Sequence, residues 1–109
     1  IYEYGAGEYG TNPLTASLNR VHEPATEILS LADYRSRYRQ YRRDKQLQRV
    51  HQLKPFICVW DDHELTNDAY KDGAENHQPA EGSFSQRRQA AMQAWHEYLP
   101  ARVSSPDKI

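Results

Sequence analysis

The sequence predicts an α/β fold that is mostly helical and contains one buried strand at about residues 56–60. The helices are predicted because apolar side chains recur at spacings of three and four residues in two stretches of the chain. The strand is predicted because Phe56–Trp60 is a short, partly β-branched apolar run that follows Pro55. Its residues do not alternate between apolar and polar, so both faces should be covered, as in the interior of a parallel or mixed sheet.

The first predicted helix begins after Ser30, whose hydroxyl can cap it. Its apolar face, at spacings of three and four, is formed by Leu31, Tyr34, Tyr38 and Tyr41. The next apolar residues do not continue this face, so we expect a break near Asp44, which would cap a second short helix over residues 45–53. Pro55 ends that second helix, because a proline disfavours the helical conformation of the residue before it.

A last helix is predicted over residues 84–99, with Ser83 or Ser85 as its cap and Pro100 at its end. Its buried stripe is expected to consist of Ala91, Trp95, Tyr98 and Leu99. The segments expected to be irregular are residues 1–20, residues 76–82 and a loose polar tail from Arg102 to Ile109.

The bulk composition places few limits on function. The formal net charge is -1, which gives no general reason to expect a polyanionic partner. The hydrophobic fraction is 38% and the mean hydropathy is -0.99, both low for a domain that must bury its own core. The single cysteine excludes an internal disulfide, and the sequence contains no signal peptide, transmembrane run or lipidation motif. Because the first residue is Ile rather than Met, we expect a processed or excised chain.

Ionisable side chains follow the predicted strand directly, in the order Asp61, Asp62, His63 and Glu64. Carboxylates at the end of a buried strand are costly unless something compensates them, and a divalent or trivalent cation is the simplest compensation. Sites in open α/β sheets form just beyond the carboxyl ends of strands. An equally simple interpretation is that the chain has reached water at this point. A site is favoured by Trp60 before the cluster and by the oxygen-bearing side chains after it, Thr66, Asn67 and Asp68.

A basic stretch runs from Arg35 to Arg49 and contains seven cations, opposed only by Asp44. Basic residues interleaved with tyrosines can indicate nucleic-acid binding. Here the tyrosines share one helix face and the arginines occupy the others, which favours a solvated basic face. The alternative function is therefore a non-catalytic helical module that binds nucleic acid or another anion through Arg35–Arg49, and a third interpretation is a purely structural piece.

Several separated motifs together resemble the PhoD-like alkaline phosphatases, which belong to the metallophosphoesterases. The motifs are the opening IYEYG, the helical stretch LADYRSRYRQYRRDKQLQRVHQLKPF, the segment VWDDHELTND and the helix end AWHEYLPAR. They agree with the family in order and spacing through most of the 109 residues. Family members are several times longer, and their catalytic domain is a two-sheet sandwich flanked by helices, with metals held at the strand ends. The resemblance thus implies that residues 1–109 form part of such a domain and not a complete one.

The resemblance implies roles for five residues. The family's Gly-Asp-x-x-Tyr motif places its iron-binding tyrosine on Tyr2, and the metal-bridging aspartate would fall just before the first residue. The segment DDHE stands where wider metallophosphoesterases have Gly-Asn-His-Glu/Asp. Asp62 thus replaces the asparagine metal ligand, His63 matches the histidine that contacts the phosphoryl group, and Glu64 matches the acidic residue that orients this histidine. Asn67 is expected to be a further oxygen ligand, to calcium.

By this resemblance the full-length protein is a phosphoric ester hydrolase, an alkaline phosphatase or phosphodiesterase that uses Fe³⁺ and Ca²⁺ and is exported by a bacterium to the periplasm or beyond. Phenolate and carboxylate oxygens suit a hard ferric ion, and carboxylate with amide oxygens suits calcium. The family's later His and Asp motifs and its ligand cysteine are absent, and Cys58 does not match that cysteine. The isolated chain is therefore expected to be inactive. The expected partners are a phosphate ester and metal ions, without nucleic acid or a membrane span.

Overall fold

The computed structural model describes residues 1–99 and 101–102, which form α-helices joined by irregular segments and one short hairpin. The helices are α1 (Pro13–Ser17), α2 (Leu31–Arg42), α3 (Lys45–Leu53) and α4 (Phe84–Tyr98). The hairpin consists of the antiparallel strands β1 (Ala69–Tyr70) and β2 (Gly73–Ala74). Single 3-10 turns lie at Asp62–Glu64 and Pro79–Glu81. Within this described part, none of the helices has the length and apolar character needed to cross a membrane.

The three predicted helices are confirmed, and each begins at an expected capping residue. The side chains of these residues accept a hydrogen bond from the backbone amide three positions on, at 3.3 Å for Ser30, 2.9 Å for Asp44 and 3.4 Å for Ser83. Each cap satisfies an amide that the first helical turn leaves without a partner. Pro100, expected to end α4, and residues 103–109 of the expected loose tail lie outside the described residues.

The two longest helices, α2 and α4, bury their apolar faces against each other. The buried residues of this core are Ile28, Tyr34, Tyr38, Leu65, Ala91, Ala94 and Trp95. The predicted faces are thus confirmed at their centres, while Leu31, Tyr98 and Leu99 lie half-buried at the edge of the core. A bidentate pair between Arg35 and Glu97 joins the same two helices at the surface, at 2.7 and 2.6 Å.

Tyr34 connects this core to the segment that follows the 3-10 turn. Its hydroxyl donates to the carbonyl oxygen of Leu65 at 2.6 Å and accepts from Nε of Arg87 at 3.1 Å. Burial raises the pKa of Tyr34 to about 12, although Arg87 acts in the opposite direction. The phenol therefore keeps its proton, which it needs in order to donate to Leu65.

The prediction of a strand at Phe56–Trp60 is wrong for the part of the chain that the structure describes. These residues connect α3 to the 3-10 turn without belonging to a strand. Ile57 is 97% exposed and Val59 is 82% exposed, whereas Cys58 and Trp60 pack against the core. A strand needs a neighbouring backbone to bond with, and no described residue supplies one here. The segment is thus covered on one face and not on both.

Two short elements were not predicted, namely helix α1 within the segment expected to be irregular and the hairpin of β1 and β2. Helix α1 begins at Pro13, and Asn12 caps it by accepting from the amide of Thr15 at 3.0 Å. Proline suits the first helical position because its missing N–H would have no partner there. The hairpin turns at Lys71 and Asp72. Elements of five and two residues are too short to give a periodic pattern, which is why they were not predicted.

Arg37 is fully buried in α2 and holds the irregular first part of the chain against that helix. Its guanidinium donates to the backbone carbonyl oxygens of Tyr2, Glu23, Pro24 and Thr26. A buried cation is tolerated when its donors are satisfied in this way. The expectation that all arginines of this stretch form a solvated face is therefore wrong at Arg37, because carbonyl groups replace water around it.

Replacing Arg37 with methionine should lower the free energy of unfolding by about 3 kcal/mol or more, because several carbonyl oxygens lose their donor at once. Urea denaturation of the protein measures this change. The matched control is Arg39→Met on the same helix, whose exposed guanidinium lies 3.4 Å from the Tyr98 hydroxyl. The control should change the free energy of unfolding by less than about 0.5 kcal/mol. Equal losses for the two variants would contradict the role given to Arg37.

Candidate active site

The opening segment of the chain and the 3-10 turn at Asp62–Glu64 meet around the imidazole of His63. The ring of His63 lies 4.8 Å from the Tyr2 ring and 6.0 Å from the Tyr4 ring, measured between centroids. Its Nδ1 atom lies 2.9 Å from Oε2 of Glu3. Three consecutive residues thus contact one histidine that is 60 positions away from Glu3 in the sequence.

The local backbone explains why the side chain of His63 lies at the surface while residues shortly after it are buried. The amides of Leu65 and Thr66 both donate to the carbonyl oxygen of Asp62 at 2.8 Å, which closes a tight turn. Leu65 and Thr66 are buried, while the turn leaves His63 half-buried at the surface. Asp68 follows with a φ of 50°, a left-handed conformation that Asp and Asn adopt more readily than most residues.

The carboxylate of Asp62 is held by the segment that follows it. Its Oδ2 atom accepts a hydrogen bond from the Asp68 amide at 2.7 Å. Partial burial alone would raise the pKa of Asp62, but the Asp68 amide and the nearby His63 outweigh burial and lower it below its ordinary value. Asp62 is therefore kept anionic, which is the state in which a carboxylate binds a cation.

Glu64 hydrogen-bonds within its own turn. Its Oε2 atom accepts from the Asp61 amide at 2.9 Å. The carboxylate that contacts His63 is that of Glu3. The 3-10 turn directs the Glu64 side chain back onto its own backbone, and the expected role of Glu64 in orienting His63 stays a prediction.

Tyr2 and Asn67, the other predicted metal ligands, both adjoin this cluster. The ring of Tyr2 packs on His63, and its hydroxyl makes no hydrogen bond to any described residue. Asn67 donates through its backbone amide to Oε1 of Glu3 at 2.7 Å and through its side chain to Oε2 of Glu75 at 3.0 Å. The structure thus brings both residues to the neighbourhood of His63.

The residues that the structure describes contain no group of three or more His, Cys, Asp or Glu side chains placed to hold a metal ion. The predicted ligands Tyr2, Asp62 and Asn67 include only one residue of these four types. Their oxygens are of the kind that hard cations bind. They would supply part of a coordination shell, so their role as metal ligands stays a prediction.

Sequence reasoning missed Glu3, which is fully buried at the centre of the cluster. Its Oε1 atom also accepts from the side-chain amide of Asn76 at 3.3 Å. The one signal in the sequence is a carboxylate placed between two tyrosines, which does not say where the chain returns to meet it. Asn76 lies in a segment that was predicted only as loop.

Several arginines of the basic stretch from Arg35 to Arg49 form hydrogen bonds or ion pairs within the fold. The engaged arginines bind a carboxylate or a carbonyl oxygen, and they are Arg35, Arg37, Arg42 and Arg43. The hydrogen bond from Arg35 lowers the pKa of Glu97 to about 2, so this partner stays charged. These contacts do not favour the alternative function of a nucleic-acid-binding module.

Comparison with known proteins agrees with the motifs. Residues 1–109 match the family model described as PhoD-like phosphatase. The chain belongs to the PhoD-like phosphatase family. It is 44% identical over 105 residues to alkaline phosphatase D of Bacillus subtilis (strain 168), a match that covers 96% of this chain and 17% of that protein.

A solved structure of PhoD has the same fold over the matched part. It superposes with a TM-score of 0.78 at 41% sequence identity, covering 96% of this chain and 19% of that one. The resemblance to the PhoD-like family and the fold of a part of it are therefore confirmed. The chain spans less than a fifth of the length of these relatives.

Proposed function

We propose that the protein containing this chain hydrolyses phosphate esters with the help of metal ions. The observation that carries the proposal is the meeting of Tyr2 with His63 in a chain of the PhoD-like phosphatase family. These are the residues that match an iron-binding tyrosine and a phosphoryl-contacting histidine in the motifs. The relative from Bacillus subtilis is named an alkaline phosphatase, which supports the same reaction class.

We infer that Tyr2, Asp62 and Asn67 would hold the cations, with Fe³⁺ and Ca²⁺ as the ions that their oxygens suit. Such ions, when bound, neutralise the charge on the phosphate group and activate water for attack on phosphorus. Asp62 contributes a carboxylate that stays ionised because the Asp68 amide hydrogen-bonds to it. The rest of the coordination shell would come from residues outside this chain.

His63 contributes the hydrogen bond or proton that the reaction needs. With Nδ1 directed at Glu3, the Nε2 atom lies on the other side of the ring and makes no hydrogen bond to a described residue. When both ring nitrogens carry a hydrogen, Nδ1–H faces Glu3 and Nε2–H can donate to a non-bridging phosphoryl oxygen or protonate the leaving alkoxide. Phosphoryl transfer requires little covalent chemistry from the protein, so positioning of these groups supplies most of the effect.

Replacing His63 with alanine in the full-length enzyme should slow turnover by roughly 10²–10⁴-fold and leave the metal content unchanged, because only acid–base or hydrogen-bond help is lost. Asp62→Ala should instead reduce the metal content, since it removes an anionic ligand. Elemental analysis and steady-state rates on the same preparations measure both effects. If His63→Ala loses metal and Asp62→Ala retains it, the two roles have been exchanged.

A strong calcium chelator should abolish hydrolysis of an aryl phosphate monoester or diester by the full-length enzyme, because the charge on the phosphate would no longer be neutralised. Added Ca²⁺ should restore the rate, which separates metal removal from denaturation. Hydrolysis that continues at the same rate in excess chelator would contradict the proposed calcium dependence. The isolated chain should show no turnover in the same assay.

A further inference from the structure

Glu3 is the most completely hydrogen-bonded side chain of the cluster around His63, and it is fully buried. Its Oε1 atom accepts from the amide of Asn67 at 2.7 Å and from the side chain of Asn76 at 3.3 Å. Its Oε2 atom lies 2.9 Å from Nδ1 of His63. A buried carboxylate is costly unless donors surround it, and here two donors converge on Oε1 while a ring nitrogen of His63 lies beside Oε2.

The two donors on Oε1 hold the carboxylate independently of His63. The Asn67 amide belongs to the backbone, and Asn76 is itself fixed because its side chain also donates to Glu27 at 3.1 Å. These two hydrogen bonds therefore orient the carboxylate without any contribution from the imidazole. Oε2 is then presented to His63 from a fixed direction, while Tyr2 and Tyr4 lie against the ring.

We infer that Glu3 is a positioning residue that fixes the orientation and the tautomer of His63. The carboxylate offers only lone pairs in this arrangement, so the ring nitrogen facing it must carry the hydrogen. Nδ1–H then points at Glu3, and Nε2 is directed away from it, where its lone pair can take up from solvent the second proton that the ring gives to the phosphoryl or leaving group. This inference rests on the proposed function, because the orientation of His63 matters for catalysis only if His63 contacts the phosphoryl or leaving group.

The substitution Glu3→Gln tests the tautomer directly. Asn67 and Asn76 both donate to Oε1, so a glutamine must keep its carbonyl oxygen on that side and direct its NH₂ group at His63. Nδ1 of His63 would then have to accept, and the ring hydrogen would move to Nε2. ¹⁵N NMR spectra of histidine-labelled, metal-free protein distinguish the two tautomers, with the His63 signals assigned by their loss in His63→Ala.

In the full-length enzyme, Glu3→Gln should lower kcat for an aryl phosphate ester by about 10–100-fold, the usual cost of losing a residue that orients a catalytic group. The reason is that the glutamine NH₂ requires Nδ1 as an acceptor, so the ring cannot carry a hydrogen on both nitrogens and loses the proton that it would give to the leaving group. KM should change by less than about threefold, since the metal ligands that bind the phosphate are untouched. In a His63→Ala background the same substitution should have almost no effect on kcat, because Glu3 acts through His63.

The matched control is Asn76→Ala, which disturbs the same buried carboxylate without touching His63. It removes the longer of the two hydrogen bonds to Oε1 but leaves the Asn67 amide on that oxygen and Oε2 beside Nδ1 of His63, so the melting temperature should fall while kcat falls by less than about threefold. If Glu3 had only a structural role, kcat would fall in proportion to the melting temperature. Glu3→Gln and Asn76→Ala would then lose the same fraction of kcat whenever their melting temperatures fell by the same amount.

Each outcome decides between the two proposals. If His63→Ala slows turnover and Glu3→Gln does not, the inference about Glu3 is overturned and the proposed function stands. If His63→Ala has no effect, the proposed role of His63 is overturned. Additive losses of kcat in the double variant also overturn the inference.

If Glu3→Gln does not fold, Glu3→Asp keeps a shorter carboxylate and should give a smaller loss of kcat that again disappears with His63→Ala. An Nδ1 atom without hydrogen in the unsubstituted protein overturns the inference by itself.

Discussion

The guanidinium of Arg37 is the constraint on which the arrangement of the first thirty residues depends. Backbone hydrogen bonds within this part, from Ala6 to Ala25 at 2.8 Å and from Ile28 to Glu3 at 3.0 Å, join the opening segment to residues 25–28 but do not attach either of them to a helix. Arg37 lies in α2 and donates to backbone carbonyl oxygens of Tyr2 and of the loop at 23–26. Because Tyr2 is tied to α2 in this way, the residues beside it are brought into contact with His63.

A second polar network ties the cluster around His63 to α4. Arg87, almost fully buried, donates to Glu27 at 2.8 Å and to the carbonyl oxygen of Asn76 at 3.1 Å. Asn76 in turn donates to both Glu27 and Glu3. Burial raises the pKa of Glu27 above its ordinary value, although the hydrogen bond from Arg87 opposes this. One arginine thus compensates acidic groups that would otherwise repel each other around Asn76.

The helices could be predicted from the sequence because their determinants are local. Caps at Ser30, Asp44 and Ser83 and apolar spacings of three and four are all read within a few residues. The contact between Glu3 and His63 could not be predicted in the same way, because it joins positions 60 apart and depends on the path of the whole chain. The motifs predicted that Tyr2 and His63 belong to one site, whereas the buried carboxylate of Glu3 beside His63 was not predicted.

The errors in the prediction have one physical origin, which is that burial belongs to the tertiary structure. Phe56–Trp60 has the composition of a strand covered on both faces, yet its neighbours in space cover one face only. Arg37 is of a residue type usually found in contact with solvent, yet it is fully buried among backbone carbonyl groups. In both cases the local sequence is compatible with the observed backbone, and the surroundings decide the exposure of the side chains.

The backbone of Phe56–Trp60 has no hydrogen-bond partner among the described residues, which bears on the order in which parts of this chain can fold. Helices α2, α3 and α4 form hydrogen bonds between residues four apart, and such local contacts form quickly. Backbone partners for Phe56–Trp60 are not found among the described residues, so any pairing involves more distant sequence and requires closure of a longer loop. Since Asp61–Glu64 follow this segment directly, the 3-10 turn would reach its final position only after the helices have formed.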